Sequence, residues 1–522
     1  MLKRLFKSKH TFLGVQIADW VLVAAALLAF SFVTLWTITK SSIWFDEAFG
    51  AYIIHFNFID IARYTATDVH PPLYYWLLKS WSMLFGNTEL ALRSMSVLFG
   101  GVAIVLGYLL TNRLFGRKAA RISLIFMMIS PMFVRYGQEA RMYTLVTTIA
   151  LAATYTLTFA INTKKRLPWI IYGILVGLGM WTHYFSAIVW IAHWIWRADN
   201  IRRTTSKGKF VKTFFSKQWI MAHIVAIAVF IPWLPFCIYQ LSVVQAFGFW
   251  IPPVTPDTMV NFMTNVIYYK DVGDVNGWLA AAFAIIVLAL GMLAFRVYKS
   301  QNQAERQSYR LIMTLAFVPM ILLFALSMPP LRSSFIDRYL ITSTVGIALF
   351  IGVTLALGYR FIKPKWRIAV TVLIAGLMLI GVASVWQLGN YNKNTHSSNN
   401  TRQIIEAIAK KAGSKQPIIA ATPWLFYEAV FYSTNNHPVY FIEPSEYKFG
   451  SLDMLKYNDQ YKIKNISAFT KQNLIIWYVG YSSAGILESP YSNWKPLQEV
   501  LVNDSVNGKP AYKAIQYQIV NN

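Results

Sequence analysis

The sequence has little charge and almost no cysteine. Only 13% of its 522 residues are charged and 56% are hydrophobic, whereas soluble domains typically have about 25% charged residues. This composition excludes an ordinary water-soluble protein for most of the chain. The one cysteine, Cys237, excludes an intrachain disulfide, so any exported part must be stable through packing alone.

Acidic residues are scarce as well, with 22 Asp and Glu against 48 Lys and Arg. A net charge of +26 invites a nucleic-acid interpretation, but its distribution argues against one. Residues 389–522 carry 13 basic and 9 acidic side chains, so about +22 belongs to the hydrophobic part. There the basic residues lie mainly in short links between apolar runs, as the positive-inside rule expects. We therefore expect a membrane protein that binds no nucleic acid.

The sequence also lacks a Walker motif, a GxGxxG fingerprint, zinc-ligand spacing and an internal repeat. It does have apolar runs of the roughly 20 residues that cross a bilayer. With the N-terminus inside, these runs predict about eleven transmembrane helices, and every strong basic cluster then falls on the inner side. The predicted spans are 17–39, 88–112, 118–135, 141–161, 168–182, 185–197, 218–240, 276–296, 311–328, 338–359 and 366–387.

Two further stretches shape the fold prediction. If the apolar segment HPPLYYWLLKSWSMLFG, residues 70–86, crossed the membrane, every later link would lie on the opposite side and nearly all basic clusters would be outside. We therefore predict a helix on the outer surface for this segment. Residues 47–58 predict another interfacial helix. The sequence thus predicts a polytopic α-helical membrane domain over 1–388 with a membrane-parallel first outer loop, 40–87. After the polar linker NYNKNTHSSNNT, helix-like and strand-like segments predict an extracytoplasmic α/β domain over 389–522.

Four clusters of ionisable residues carry the chemical hypothesis. They are SIWFDEAFG with Asp46 and Glu47, DVHPPLYYW with Asp68, His70 and Tyr74, SPMFVRYGQEARMY with Glu139 and Arg141, and SSFIDRYL with Asp337 and Arg338. Each also has an ordinary explanation: a helix cap, a structural histidine, a solvated turn and a membrane-flanking anchor. The predicted topology nevertheless places all four on the outer face.

Carboxylates and several cations at a membrane interface suit an inverting transfer from a sugar phosphate. The phosphate leaves as a stable anion and needs no general acid, so a single base and positive charge suffice. A glycosidase would instead use two carboxylates.

The ordered motifs FDE, HPPLYYWLL, ALRSMSVLFG, RLFGRKAA, SPMFVRYGQEARMY, GLGMWTHYF and DRYL carry a resemblance. They are similar to the bacterial branch of the dolichyl-phosphate-mannose protein mannosyltransferase family, which is related to the aminoarabinose lipid A transferases. The similarity covers roughly residues 15–360 and is most specific in 44–145. It implies a GT-C fold, a polyprenyl-phosphate sugar donor, and an acceptor that is a cell-envelope lipid, glycan or protein.

The resemblance also implies roles for individual residues. Asp46 matches the catalytic base of the first loop, and Glu47 would orient the acceptor or the base. His70 stands where relatives place a cation before the proline, and its charge depends on local pH. It would contact the donor phosphate together with Arg141 and Arg338, which match recurrent basic positions. The remaining candidates for substrate binding are Glu139, Tyr74, Tyr339 and His183.

No cofactor is required by these motifs. Asp46, Glu139 and His183 could supply ligands to a divalent metal, although no spacing demands one.

Two other functions stay open. A lipid-linked glycan flippase or transporter predicts charges in the middle of spans and repeat symmetry. A polysaccharide polymerase or ligase predicts a long outer loop rich in Arg and His, and the 241–275 loop lacks that enrichment. A receptor whose tail is the functional part would leave FDE and QEARMY unexplained.

Overall fold

The protein was analysed as a computed structural model. It describes residues 11–12, 15–247, 250–269, 277–389, 399–434, 436–444, 447, 450–482 and 491–520. Most of the predicted polar linker, residues 390–398, lies outside the described residues. The chain divides into two compact units, one of residues 1–36 and 93–386 and one of residues 37–92 and 387–522. We call the first the helical unit and the second the sheet unit.

The helical unit consists of helices connected by short turns, after a small antiparallel pairing of Thr11–Phe12 with Val15–Gln16. Its α-helices are Ile17–Leu35, Glu89–Phe115 (which begins in the sheet unit), Arg117–Met128, Pro131–Gly137, Tyr143–Ala160, Leu167–Thr182, Ser186–Thr204, Phe210–Phe214, Lys217–Phe230, Leu234–Phe247, Pro256–Ile267, Gly277–Ser300, Gln303–Leu326, Ile341–Gly358 and Pro364–Leu388 (which ends in the sheet unit). Its 3-10 segments are Lys207–Lys209, Ile231–Trp233, Asp337–Leu340 and Tyr359–Phe361.

The prediction of a multi-pass membrane protein is confirmed. Among the described residues, eight helices are long and apolar enough to cross a membrane, and a bent pair of helices would make a ninth. Leu167–Thr182 is a shorter apolar helix. The count of about eleven spans and the inside N-terminus stay predictions.

The span that we predicted at 118–135 corresponds to the bent pair of helices. Arg117–Met128 and Pro131–Gly137 meet at 58° because the chain breaks at Ser130, which is extended, and Pro131 then starts the second helix. Proline has no N–H for the preceding turn and disfavours helical backbone in the residue before it. The bend leaves Arg135 and the following turn at the end of a short helix.

The helix Ile341–Gly358 is buried along nearly its whole length. Glycines allow this close packing, since a Cβ at Gly352 would lie 2.4 Å from the Cα of Ser123, and one at Gly346 would lie 2.9 Å from the Cα of Ala316. Small residues at helix contacts are the usual way that membrane helices approach one another. The packing fixes the start of this helix, which follows Asp337 and Arg338 directly.

Within its described residues, the sheet unit contains six strands and several helices. Its α-helices are Phe45–Ile53, Phe58–Ala66, Leu73–Phe85, Thr401–Lys411, Pro423–Tyr432 and Ile466–Gln472, and Asp453–Tyr457 is a 3-10 segment. In their order across the sheet, the strands are Lys462–Ile463, Val439–Ile442, Ile418–Ala420, Ile475–Tyr481, Pro510–Ile519 and Trp494–Asn503. The first four pair in parallel and the last two are antiparallel. The predicted α/β architecture is confirmed.

Residues 37–92 pack with the C-terminal residues in this unit. The sequence had assigned most of them to the membrane domain, as its first outer loop 40–87. The predicted helix over 47–58 ends at Ile53, because the side chain of Asn57 accepts hydrogen bonds from the Ile59 and Asp60 N–H groups and starts a new helix. The predicted helix within 70–86 is present as Leu73–Phe85.

Candidate active site

The predicted acid pair, Asp46 and Glu47, lies in the first turn of the helix Phe45–Ile53 in the sheet unit. Glu47 is 0% exposed, and its Oε2 accepts a hydrogen bond from the Trp44 N–H at 3.3 Å. A glutamate that reaches back in this way is half of a capping box. Asp46 is only half-buried. The turn therefore has one carboxylate that stabilises the helix start and another that a substrate can reach.

The second predicted cluster lies in the same unit and centres on His70. Its Nδ1 is 3.3 Å from Oδ2 of Asp68. The other oxygen of that carboxylate, Oδ1, accepts a hydrogen bond from Ser451 Oγ at 3.2 Å. The Gly450 N–H donates to the Thr67 carbonyl at 3.0 Å. A segment of the C-terminal part thus holds Asp68, and Asp68 orients the imidazole.

Tyr74 lies one turn further on and occupies a core position. It is buried, and its ring centroid is 5.5 Å from that of Tyr75. At 1% exposed, it is the least accessible of the four predicted substrate-binding residues.

The helical unit contains the third predicted cluster, in the turn that follows the helix Pro131–Gly137. Arg135 Nη1 lies 2.8 Å from Glu139 Oε1. Ser96 Oγ donates to the Glu139 carbonyl at 2.5 Å and to the Arg141 carbonyl at 3.2 Å. Arg135, Glu139 and Arg141 are all buried. The turn is therefore packed and not simply solvated, which favours the functional interpretation of its charges.

The fourth cluster, at the start of the helix Ile341–Gly358, lies close to the third. Tyr136 interacts electrostatically with Arg135, Glu139, Asp337 and Arg338, so all four charges lie in its neighbourhood. Asp337 Oδ2 accepts a hydrogen bond from Asn265 at 2.8 Å. We call Arg135, Glu139, Arg141, Asp337 and Arg338 the cation cluster, because its three guanidinium groups outnumber its two carboxylates.

Aromatic rings adjoin the cation cluster. The ring of Tyr339 lies 4.8 Å from those of both His183 and Phe185. The guanidinium of Arg338 lies over Trp250 at 5.1 Å from the ring centroid. Tyr143, His183, Arg338 and Tyr339 line one pocket. The structure therefore brings together four of the predicted residues of this unit, Glu139, His183, Arg338 and Tyr339, and Arg141 follows Glu139 in the same buried turn.

This arrangement can bind an anion. Guanidinium groups form strong charge-assisted hydrogen bonds with phosphate, often two at once, and burial strengthens them by excluding water. Glu139 is the carboxylate partner of Arg135 within the cluster. Within the residues that the structure describes, no group of three His, Cys, Asp or Glu side chains is arranged to hold a metal ion.

The chain is similar to known proteins in part of its sequence and in its fold. Over residues 69–236, the chain matches the family model for dolichyl-phosphate-mannose-protein mannosyltransferase. The solved structure of ArnT from Cupriavidus metallidurans in the apo state superposes with a TM-score of 0.63, at 13% identity over 95% of this chain and 98% of that one. The chain has the GT-C glycosyltransferase fold. The predicted resemblance is confirmed.

Two more similarities concern polyprenyl phosphate. The ArnT structure bound to undecaprenyl phosphate superposes with a TM-score of 0.58, at 14% identity and with the same coverage of both chains. A curated relative from Pseudomonas savastanoi pv. phaseolicola is 28% identical over 174 residues. It is an undecaprenyl phosphate-alpha-4-amino-4-deoxy-L-arabinose arabinosyl transferase. The match spans 31% of this chain and 30% of the relative.

Sequence reasoning missed two residues that the structure attaches to the predicted site segments. Ser451 holds Asp68, and Glu428 lies at the start of the Asp46 helix. Neither belongs to a recognisable motif. For Glu428 a signal was present, because it is a lone carboxylate within the aromatic and aliphatic run PWLFYEAVFY. An acid in such a run is buried only when it has partners.

Proposed function

We propose that this protein is a membrane glycosyltransferase that moves one sugar from a polyprenyl-phosphate donor to a cell-envelope lipid, glycan or protein, with inversion, at the outer membrane face. The observation that carries the proposal is the cation cluster, in which three guanidinium groups lie with two carboxylates at the ends of apolar helices. The superposition on a structure bound to undecaprenyl phosphate supports the choice of donor.

In this reaction Asp46 accepts the proton of the acceptor hydroxyl as its oxygen attacks the anomeric carbon. The bond from that carbon to the phosphate oxygen breaks, and the polyprenyl phosphate leaves with the electron pair. Arg141, Arg338 and His70 stabilise the charge that develops on the phosphate. Glu47, which is buried and bonded to the Trp44 N–H, orients the turn that carries Asp46.

The remaining residues bind substrate. Tyr339 and His183 offer ring surfaces on which a sugar can pack, and Glu139 can accept hydrogen bonds from sugar hydroxyls in exchange for one of its contacts. Tyr74 is proposed to act after a local shift of its helix. By its name, the relative from Pseudomonas transfers an aminopentose, so a pentosyl donor is the first to test, beside a hexosyl one.

The sugar and acceptor can be found by mass spectrometry of cell-envelope lipids, glycans and glycoproteins from a strain that lacks the gene. We expect one glycoform to disappear and to return with the wild-type gene. If the protein were a flippase, its loss would instead deplete every glycan built from its lipid-linked substrate. If it were a polymerase, its loss would shorten the polysaccharide chains and leave the first attached sugar in place.

The outer location of the sheet unit can be tested through the single cysteine. In a Cys237→Ser background, Ser414→Cys places a thiol at an exposed position of the sheet unit, and Ser206→Cys places one in a link that we predict to be inside. We expect an impermeant maleimide to label Ser414→Cys on intact cells, and Ser206→Cys only after permeabilisation. Labelling in the reverse pattern would contradict the predicted topology.

The role of His70 predicts a particular pH dependence. His70→Ala should lower the transfer rate roughly tenfold to a hundredfold, since a charge-assisted contact is worth about 1.5 to 3 kcal/mol. His70→Lys should keep activity and extend it above neutral pH, because lysine remains charged there. The matched control is His55→Ala, an exposed histidine in the same unit. Wild-type rates for His70→Ala across the pH range would remove His70 from the donor site.

A further inference from the structure

Glu428 is a carboxylate that the proposed reaction does not use. It lies in the otherwise apolar helix Pro423–Tyr432 of the sheet unit and is only 2% exposed. Burying a carboxylate is unfavourable unless hydrogen bonds replace the lost water. Its partners therefore indicate what the residue does.

Those partners come from two parts of the sheet unit. Thr401 Oγ1 donates a hydrogen bond to Glu428 Oε2 at 2.5 Å. The Phe45 N–H, at the first position of the helix that carries Asp46, also interacts with the Glu428 carboxyl. The first N–H groups of a helix have no partner within it, and a carboxylate is well suited to accept from them.

A second side chain on the same helix makes a parallel contact. Tyr432 follows Glu428 by four residues and therefore lies on the same helix face. Its hydroxyl oxygen accepts a hydrogen bond from the Ile43 N–H at 2.6 Å, and the hydroxyl donates to Glu89. Ser42, one residue earlier, bonds to Gln403 at 3.0 Å. The backbone immediately before Asp46 is thus held at successive points by side chains of the C-terminal part.

Aromatic packing holds the two helices together. The Phe45 ring lies 4.7 Å from Trp424 and 5.9 Å from Tyr427, and Tyr427 lies 5.8 Å from Phe49. These edge-to-face pairs add specific attraction to the apolar burial. The ring contacts lie before Glu428 in the sequence and the Tyr432 hydrogen bond lies after it. Together they hold this part of the helix Pro423–Tyr432 against the start of the Asp46 helix.

We propose that Glu428 is a positioning residue for Asp46: it holds the Phe45 N–H and so sets the direction in which the Asp46 carboxylate points toward the acceptor. The inference rests on the proposed function of Asp46. It assigns a role to the C-terminal α/β part, which is to support the catalytic turn of the first loop.

The electrostatics of the site agree with this role. Burial raises the pKa of Glu428 from 4.5 to about 7, and the charge of Glu47 adds to the rise, while hydrogen bonds from Thr401, Asn399 and Phe45 oppose it. Tyr481 and Tyr512 also face the carboxyl. Since the pKa in the folded state is above that in the unfolded state, ionisation of Glu428 destabilises the fold as pH rises from about 4.5 to about 7. Its Phe45 contact survives in either form, because both carry an acceptor oxygen.

The test compares Glu428→Ala, Glu428→Gln and the exposed control Glu406→Gln on the neighbouring helix. We expect Glu428→Ala to lower kcat about tenfold to a hundredfold with the KM for donor changed less than twofold. Glu428→Gln should restore most of the rate, because its amide oxygen accepts from the Phe45 N–H and the Thr401 hydroxyl can also accept. It should also remove the loss of melting temperature between pH 5 and pH 8 that this carboxyl causes.

Hydrogen exchange gives a readout that does not depend on transferase activity. The amide protons of residues 43–45 should exchange at least tenfold faster in Glu428→Ala than in the wild-type protein or in Glu406→Gln. Unchanged exchange would overturn the positioning role even if no transfer were observed. If the wild-type protein transfers no sugar but the exchange responds as expected, the proposed function fails and the structural contact stands. A transfer rate for Glu428→Ala equal to wild type would also overturn the proposal.

Discussion

Replacing Asp46 by asparagine is expected to lower the transfer rate by about 10²- to 10⁴-fold, the usual loss when a general base is removed. Of the predicted acid pair, Asp46 is half-buried, whereas Glu47 is buried against the Trp44 N–H. Asparagine has nearly the same shape, so the helix Phe45–Ile53 should remain folded. The measurement is the rate of transfer in membranes at saturating donor.

The control for this variant is Asp60→Asn. Asp60 also lies in the first turn of a helix of the sheet unit, where it is bonded to Asn57 and Arg63. The same change of charge there should leave the rate within about twofold of wild type. Glu47→Gln should cost less than Asp46→Asn, since an amide oxygen can still accept from the Trp44 N–H. Near wild-type transfer by Asp46→Asn would remove the catalytic base from the account.

The second large effect is expected at Arg338. Arg338→Ala should lower donor use roughly tenfold to a hundredfold, because a charge-assisted contact with phosphate is worth about 1.5 to 3 kcal/mol. Arg338→Lys should keep part of the activity. Lysine supplies a point charge but neither the bidentate fork nor the planar surface that packs over Trp250. Arg141→Ala should behave like Arg338→Ala.

The experiment is a titration of donor at fixed acceptor, followed by the reverse titration. Arg332→Ala is the matched control, since Arg332 is exposed in the segment before the same helix. An effect of Arg338→Ala confined to the acceptor titration would place this arginine at the acceptor and leave the phosphate without its proposed partner.

Much of the fold could be predicted from the sequence because the signals are local. Apolar runs located some helices closely, as for Tyr143–Ala160 against the predicted 141–161. Others were placed less well, since Gln303–Leu326 begins well before the predicted 311–328. Strand-like segments predicted the α/β domain, and Ile418–Ala420 and Val439–Ile442 are two of its strands. The strand Pro510–Ile519 is harder to predict, because Lys513, Gln516 and Gln518 interrupt its apolar pattern.

The grouping of residues 37–92 with the C-terminal part could not be predicted. It depends on contacts between residues that are far apart in the chain, such as Ile43 with Tyr432 and Asp68 with Ser451. In each of these pairs, neither residue lies in a sequence motif that indicates its partner. Hydropathy assigns a loop to the membrane span that precedes it, and side-chain packing decides which unit it joins.

For the candidate site, the sequence predicted which residue types matter, and the structure added how they are held. The ordered motifs indicated Glu139 and Arg338 although 199 positions separate them, and the structure places both around Tyr136. Motifs do not report burial, so the difference between the accessible Asp46 and the buried Glu47 was not predictable. The support from Glu428 was missed for the same reason.

The most direct test of the central claim is the release of polyprenyl phosphate by the purified protein in lipid nanodiscs. Polyprenyl-phosphate pentose or hexose is supplied with a cell-envelope extract as acceptor, and lipid products are quantified by mass spectrometry. The account predicts that free polyprenyl phosphate appears in equal amount with glycosylated acceptor, and that Asp46→Asn releases neither. Glycosylated acceptor formed from a nucleotide sugar without any polyprenyl phosphate, or equal release by Asp46→Asn, would contradict it.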